Sequence, residues 1–296
     1  MKNTNLNKAK KAKNDEFYTQ YSDIEKELQH YKSFFKEKVV YCNCDDARKS
    51  NFFKYFYDNF DTLGLYKLIC TGYNIHGNGI LCIYKGDKNI NITELEGNGD
   101  FRSEECIKYL KQADIVVTNP PFSLFREFIT QLMVFQKQFI MLGALNAITY
   151  KEIFRYIKDN DLFLGINNVK EFFQPNEEIK QIPTVWYTNI VNYHKNNEIE
   201  LDRVYNENEY PEYDNYKAIE IKRVKDIPKN YDGIMGVPIT YLLIHSPNQF
   251  EIIGITENAD YLKEVYKPNQ LKYDRAYLHG KRLYPRILIK KNNLTN

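Results

Sequence analysis

Helical periods and short apolar runs alternate along the first two thirds of the chain. Apolar residues recur at helix spacing from Ile24 to Phe35, behind the capping-box sequence Ser22-Asp-Ile-Glu25, which predicts a helix that begins at Ser22. Similar periods predict helices at 52–60, 104–112 and 125–135, and another opened by a second capping box, Thr149-Tyr-Lys-Glu152. Short apolar runs predict strands at 39–44, 66–71, 80–84, 90–95, 114–118, 138–145, 162–166 and 183–189.

This alternation is typical of the α/β class and predicts a mostly parallel sheet with helices on both faces. Ligands of such sheets bind beyond the carboxyl ends of the strands, where the strand order reverses. Two polar segments directly follow predicted strands: Asp45-Asp46 and the loop Asn119-Pro-Pro-Phe122. We therefore expect the functional site at this edge of the sheet.

The pattern changes near residue 192. Residues 193–232 are acidic, rich in Asn and Tyr, and weakly periodic; short predicted strands then stand among loops at 219–223, 250–255 and 286–290. We predict three regions: a flexible basic arm at 1–13, an α/β domain at 14–192, and a smaller strand-rich module at 193–296.

Composition excludes several classes of protein. The chain is 43% hydrophobic and 27% charged, its mean hydropathy is −0.59, and no apolar run approaches the ~20 residues of a membrane helix. Its start lacks the apolar stretch of a secretory signal. Five cysteines without Cys-x-x-Cys spacing indicate reduced thiols rather than disulfides or a zinc ribbon. We expect a cytoplasmic protein that does not bind a membrane.

The formal net charge of +2 hides an uneven distribution of charge along the sequence. Residues 1–13 carry +5 and residues 263–291 carry +7, so the remainder carries −10. Basic ends around an acidic middle indicate a polyanionic partner such as nucleic acid, although a solvated tail and a solvated surface explain the same charges.

The loop Asn119-Pro120-Pro121-Phe122 carries the clearest chemistry. An exocyclic adenine amine is a poor nucleophile because its lone pair is delocalised into the ring. The Asn119 side-chain oxygen and the Pro120 carbonyl are acceptors that would localise this lone pair, and the two prolines would preorganise them. Phe122 offers a ring on which a flipped base can stack. The alternative is a strand-ending Pro-Pro loop with Phe122 in the core.

Four segments in this order resemble the EcoRI-type adenine-specific DNA methyltransferase family, which belongs to the gamma class of amino-methyltransferases. They are Asn14-Asp-Glu-Phe-Tyr-Thr19, Cys44-Asp-Asp-Ala-Arg-Lys-Ser-Asn-Phe52, Gly99-Asp-Phe-Arg-Ser103 and Thr118-Asn-Pro-Pro-Phe-Ser-Leu-Phe125. Further similarity at 186–189, 237–240 and 250–254 extends the resemblance over roughly residues 14–290. The resemblance implies a Rossmann-like methyltransferase sheet with S-adenosylmethionine as the methyl donor.

The resemblance also implies the site residues. The catalytic positions are Asn119, Pro120, Pro121 and Phe122, and the cofactor-binding positions are Tyr18, Thr19, Asp45, Asp46, Ser50, Asp100, Phe101 and Asn119. Asp100 matches the acid that accepts from the cofactor's adenine amino group, and Phe101 matches its stacking neighbour. Asp45 and Asp46 are placed to meet the ammonium or ribose hydroxyls; alternatively they cap the following helix. Phe101 and Tyr18 have the alternative of being ordinary core aromatics.

The residues that several other reactions require are absent from the sequence. Cytosine-C5 methylation uses a cysteine nucleophile, usually after proline, and the sequence has no Pro-Cys pair. A Walker phosphate loop is absent. The five histidines lack metal-ligand spacing, and methyl transfer from a sulfonium proceeds by direct displacement, so we expect no metal.

The sequence thus predicts a DNA adenine-N6 methyltransferase, the modification enzyme of a prokaryotic or phage-encoded restriction-modification system. We expect a monomer that flips its target base out of double-stranded DNA, with a cognate restriction endonuclease acting separately. The predicted phosphate contacts are Lys11, Lys13, Lys281, Arg282 and Arg286, and region 193–296 would recognise the target. The alternatives are methylation of an RNA adenine or a protein amide, and a catalytically silent DNA-binding protein with this fold.

Overall fold

A computed structural model describes residues 19–87, 90–173, 179–191, 198–256, 258, 262–267 and 275–292 of the chain. It divides into two compact units, one of residues 1–147 with 163–191 and the other of 148–162 with 192–296. No helix in the described ranges is long and apolar enough to span a membrane. The predicted basic arm at 1–13 lies outside the described residues.

The first unit is built on an eight-stranded sheet. Its strands are β1 (Val39–Asn43), β2 (Lys67–Gly72), β3 (Ile80–Tyr84), β4 (Ile92–Glu94), β5 (Ile115–Thr118), β6 (Gln138–Ala144), β7 (Phe163–Phe173) and β8 (Ile179–Thr188). Its helices are α1 (Tyr21–Leu28), α2 (Asn51–Asp58), α3 (Phe60–Leu63), α4 (Glu104–Gln112) and α5 (Phe125–Val134). The strand order is β4-β3-β2-β1-β5-β6-β8-β7. The predicted α/β class is confirmed.

The expectation of a mostly parallel sheet is wrong. Within this sheet, the central strands β2, β1, β5 and β6 pair in parallel, whereas β3 and β4 at one edge and β8 and β7 at the other are antiparallel. Hairpin connections at both edges reverse the strand direction, and an apolar run does not encode that direction. The parallel centre still contains a reversal of strand order, because β1 lies between β2 and β5.

The two faces of β2 meet different helices, because successive strand residues point to opposite sides. Leu68 and Cys70 pack in one core cluster with Phe52 and Phe56 of α2. On the opposite face, the Thr71 hydroxyl lies 4.0 Å from the Cys106 thiol of α4. Helices therefore cover both faces, and the carboxyl ends of the central strands remain at the edge between them.

Both predicted capping boxes are wrong. The residue before α1 is Gln20, which makes no side-chain capping bond; its carbonyl accepts from the amides of Asp23 and Ile24. Ser22 therefore lies inside the first turn. In the second unit, helix α6 (Lys151–Lys158) follows Tyr150, and Thr149 ends a preceding 3₁₀ turn. Each Ser/Thr-x-x-Glu pattern is present, but the first helical turn begins elsewhere.

The second unit contains a four-stranded sheet of order β11-β14-β10-β9, formed by β9 (Ile219–Glu220), β10 (Met235–Pro238), β11 (Phe250–Ile255) and β14 (Arg286–Lys291). A separate ribbon pairs β12 (Tyr277–Leu278) with β13 (Lys281–Arg282). Its turn, His279-Gly280, has positive φ at both residues, and the Asp214 carboxylate accepts from both turn amides at 3.1 and 2.8 Å.

Candidate active site

Two loops leave the carboxyl edge of the first unit's sheet from adjacent parallel strands. Residues 44–50 follow β1 and the Asn119-Pro-Pro segment follows β5; the two strands pair in parallel through Val40 and Ile115. The strand order reverses at this pair, with β2 on one side of β1 and β5 on the other. The predicted location of both polar segments at the switch point is therefore observed, and this geometry is the usual ligand position in α/β sheets.

The loop after β1 holds its two acids differently. The Asp46 carboxylate accepts from the Arg48 amide at 2.9 Å and from the Arg48 guanidinium at 2.7 Å. Partial burial opposes ionisation of Asp46, but the hydrogen bonds and charge of Arg48 outweigh it and lower the pKa of this carboxyl. Ser50 caps α2, because its hydroxyl accepts from the amides of Phe52 and Phe53. The cap is thus Ser50 and neither acid.

Asp45 is buried, with 8% of its surface exposed. Its Oδ1 accepts from the Ser50 hydroxyl at 2.7 Å, and its Oδ2 lies 2.6 Å from the hydroxyl of Thr118, the last residue of β5. The same Thr118 hydroxyl contacts the Asn43 carbonyl oxygen. Burial raises the pKa of Asp45 to about 7, and the hydroxyl groups beside it offset only part of this effect.

The catalytic loop begins directly after Thr118. Asn119 is half-buried and Pro120 is buried, and the Pro121 carbonyl accepts from the Leu124 amide at 2.9 Å to start a 3₁₀ turn that leads into α5. The Phe122 ring is 7% exposed and belongs to the core cluster. This burial agrees with the core alternative for Phe122; its contact with a flipped base stays a prediction that requires the loop to move.

The Asp100 loop reaches the same edge of the sheet. Gly99 has φ +79°, and a side chain there would collide with the carbonyl of Gly72, the last residue of β2. The Asp100 carboxylate accepts from Arg102 Nε at 2.9 Å and from Nη2 at 2.7 Å. These hydrogen bonds lower the pKa of Asp100 despite partial burial, so the group stays an ionised acceptor. Cys44 lies in the loop after β1, and burial is the main cause that raises the pKa of its thiol. The nearby carboxyl groups of Asp45 and Asp100 raise this pKa further, so the Asp100 loop lies close to the loop after β1.

Phe101 and its neighbours connect this loop to α5. The Phe101 ring is 3% exposed, meets Phe128 edge-on at 4.9 Å and carries the Arg102 guanidinium over its face at 5.3 Å. Arg102 also pairs with Glu127 at 2.9 Å, and Gln131 donates to the Phe101 carbonyl. The core alternative for Phe101 therefore agrees with the structure, and its stacking on a cofactor stays a prediction.

Thr19 lies beside the start of α2, where its carbonyl accepts from the Asn51 side chain at 2.8 Å. Its hydroxyl is buried and has no hydrogen-bond partner within the described ranges. Buried hydroxyls are normally hydrogen-bonded, so this atom is suited to a polar ligand. Tyr18, Lys11 and Lys13 lie outside the described residues.

The three remaining predicted phosphate contacts belong to the second unit and divide into two groups. Lys281 and Arg282 are exposed on the β12–β13 ribbon. Arg286 instead donates to the buried carboxylate of Glu220, with a shortest distance of 2.7 Å and only 14% of its side chain exposed. The Tyr213 hydroxyl also donates to Glu220. A phosphate contact by Arg286 would have to break this ion pair.

No role is predicted for Thr118 or Asn43 from the sequence, and Asp45 is assigned there to the cofactor from the family resemblance and from its place after a predicted strand. Thr118 joins the two loops through Asp45, yet a threonine at the end of a β strand is common and predicts no contact. The only available signal was its place beside Asn119. The contact between β1 and β5 becomes visible only when the strand order is known.

Comparison with known proteins gives consistent matches over nearly the whole chain. The family described as adenine-specific methyltransferase EcoRI matches residues 5–292. The type II methyltransferase M.EcoRI of Escherichia coli is 45% identical over 94% of this chain and 97% of its own length. M.MgeORF184P of Mycoplasma genitalium is 38% identical over 98% and 99%, and M.MpnI of Mycoplasma pneumoniae is 39% identical over 97% and 98%.

Proposed function

This chain belongs to the EcoRI family of adenine-specific methyltransferases, and from that premise we propose that it transfers a methyl group from S-adenosylmethionine to N6 of an adenine in double-stranded DNA. The reaction is the modification step of a restriction-modification system. We propose a monomeric enzyme, with any cognate endonuclease acting separately on the same target sequence.

The observation that carries the proposal is the position of Asn119-Pro120 at the switch point of the sheet, directly after β5. The adenine N6 amine needs acceptors for its two hydrogens so that its lone pair is directed toward the methyl group. The Asn119 side-chain oxygen and the Pro120 carbonyl supply such acceptors. The buried Thr118 behind them and Pro121 after them restrict the loop, so the acceptors need little reorganisation during the reaction.

The residues around this loop fit S-adenosylmethionine. Asp100 is an ionised acceptor: its Oδ1 accepts from the amide and from Nε of Arg102, whereas its Oδ2 accepts only from Nη2, which leaves Oδ2 capacity for the cofactor's adenine amino group. The unpartnered Thr19 hydroxyl would contact the cofactor's methionine end, and Asp46 and Ser50 lie on the loop after β1 that would line it. When bound, the cofactor supplies a methyl group on a positively charged sulfur, which the amine displaces directly.

Access to an adenine inside a duplex requires that the base be flipped out, at a cost of a few kcal/mol. Contacts to phosphate would offset part of this cost. We assign such contacts to the exposed Lys281 and Arg282 of the β12–β13 ribbon and to Lys11 and Lys13 of the basic arm. Region 193–296 would recognise the target sequence, and Phe122 would stack on the flipped base after the loop moves.

The test offers labelled S-adenosylmethionine and the purified protein to three acceptors in parallel: unmethylated duplex DNA, RNA and a protein mixture. Digestion of the DNA to nucleosides identifies the modified base. We expect label in DNA as N6-methyladenine. Label found only in RNA or only in protein would show that the methyl acceptor is not DNA. Cofactor binding without transfer to any acceptor, or no binding at all, would contradict the proposed activity.

A further inference from the structure

The ends of β1 and β5 are joined by a chain of short polar contacts beneath the catalytic loop. Thr118 is fully buried, and its hydroxyl contacts both the Asn43 carbonyl oxygen and Asp45 Oδ2. The other Asp45 oxygen accepts from the Ser50 hydroxyl, which in turn accepts from the amides of Phe52 and Phe53 in the first turn of α2. Thr118 is bonded covalently to Asn119, so these contacts fix the residue from which the catalytic loop departs.

The backbone of Asp45 is hydrogen-bonded as well as its side chain. Its amide donates to the Thr71 carbonyl at 3.0 Å, and its own carbonyl accepts from the Cys70 thiol at 3.0 Å. Asp45 therefore connects the carboxyl ends of β2, β1 and β5. No salt bridge to its carboxyl is found within the described ranges, and the Arg48 guanidinium on the same loop is engaged by Asp46.

The number of available hydrogens decides which atom donates in each of these contacts. The Thr118 hydroxyl has one hydrogen but touches two oxygen atoms that are both acceptors when Asp45 is ionised. One of the two contacts would then be a repulsion between oxygen lone pairs. If Asp45 is protonated on Oδ2, it donates to Thr118, Thr118 donates to the Asn43 carbonyl, and Ser50 donates to Oδ1. Every hydroxyl hydrogen and every acceptor oxygen in this row of contacts then has a hydrogen-bond partner.

We propose that Asp45 is a neutral, hydrogen-donating positioning residue, which through Thr118 sets the position of Asn119, and that it is not a ligand of the cofactor. The proposal rests on the proposed methyl transfer for its effect on catalysis, but the protonation of Asp45 does not depend on that activity. Asp45 is thus a positioning residue and not one of the cofactor contacts that the family resemblance implies.

The first experiment measures protonation directly. Infrared difference spectra between the wild-type protein and Asp45→Asn at pH 6 should contain the carbonyl band of a protonated carboxyl group that the variant lacks. A difference spectrum with only carboxylate bands would overturn the proposal. The outcome is the same whether or not the protein methylates DNA, so failure of the proposed function does not affect it.

The second experiment measures, also at pH 6, kcat and the KM for S-adenosylmethionine with duplex DNA as acceptor. Asn at position 45 can keep both roles, since its amide nitrogen can donate to Thr118 and its amide oxygen can accept from Ser50, so Asp45→Asn should raise the KM for the cofactor by no more than about threefold and should lower kcat less than Thr118→Val does. Thr118→Val removes the hydroxyl and should lower kcat by about tenfold or more with the KM nearly unchanged. Thr118→Ser restores the hydroxyl and should recover most of the loss.

The outcomes separate the possible errors. An Asp45→Asn variant whose KM for the cofactor rises by more than about tenfold would show that the negative charge binds the cofactor and would overturn the proposal. Wild-type kcat in Thr118→Val would overturn it as well. If Thr118→Val fails to fold, by its near-ultraviolet circular dichroism, then Asp45→Asn and Thr118→Ser still decide. A wild-type protein that methylates no adenine contradicts the proposed function, and the infrared result then stands alone.

Discussion

Removal of the Asp45 carboxyl group should change how the stability of the first unit depends on pH. Burial raises the pKa of Asp45 from its ordinary value of 3.8 to about 7, and the nearby charge of Asp46 adds to this. The folded protein therefore holds one proton more than the unfolded chain between these two values. The contribution of Asp45 to the free energy of unfolding is fully present below pH 4 and is lost as the pH rises through 7.

The size of this effect follows from the shift. A displacement of about 3 pH units corresponds to about 4 kcal/mol, at about 1.4 kcal/mol per unit. Asp45→Asn has no group that titrates here, and other ionisable groups contribute equally to both proteins. The difference in unfolding free energy, wild type minus Asp45→Asn, should thus fall by about 4 kcal/mol between pH 4 and pH 8.

Urea denaturation at a series of pH values gives this difference. The only tryptophan of the chain, Trp186 on β8, is fully buried and meets Phe52 of α2 edge-on at 5.9 Å, so its fluorescence reports the unfolding of the first unit. Asp46→Asn is the matched control: the pKa of Asp46 is lowered below its ordinary 3.8, so most of its contribution to stability is already present at pH 4, and the difference between wild type and this variant should not fall between pH 4 and pH 8. A difference for Asp45→Asn that stays constant, or rises with pH, would refute the neutral buried acid.

Three further perturbations test the assigned roles. Asp100→Ala should raise the KM for S-adenosylmethionine by about tenfold or more with little change in kcat, and unchanged affinity would move the adenine pocket elsewhere. Arg286→Ala leaves the buried carboxylate of Glu220 without its cation and should destabilise the second unit by about 3–5 kcal/mol, measured by hydrogen exchange of the β14 amides; adding Glu220→Gln should recover part of the loss. Replacement of Lys281 and Arg282 by alanine should weaken DNA binding at every sequence and lower the slope of log affinity against log salt by about 2, whereas an unchanged slope would place the phosphate contacts elsewhere.

The sequence predicts the elements well where an apolar pattern and a local signal agree. The helix at Glu104–Gln112 is found with its predicted bounds, because the side chain of Ser103 caps it and Cys106 and Leu110 face the core. The capping boxes at Ser22 and Thr149 fail, since a four-residue pattern does not say which turn starts the helix. Strand direction also escapes prediction, because an apolar run is the same read in either sense.

The candidate site is also only partly predictable from local sequence patterns. Asn119-Pro-Pro-Phe122 is contiguous and follows a buried strand, so one short stretch of sequence suffices to find it. The contact between Asp45 and Thr118 joins residues on different strands and depends on the strand order, which no local pattern encodes. The roles of Arg102 and Glu220 as partners of other predicted residues are hidden for the same reason.

The measurement that tests the central claim most directly is single-turnover methyl transfer from labelled S-adenosylmethionine into unmethylated duplex DNA by wild type and Asn119→Ala. Asn91→Ala, in an exposed segment before β4, is the matched control. We predict N6-methyladenine with wild type and with the control, and a loss of at least about 100-fold in rate with Asn119→Ala while cofactor affinity stays within a few-fold. A rate for Asn119→Ala close to that of wild type would contradict the assignment of the catalytic loop.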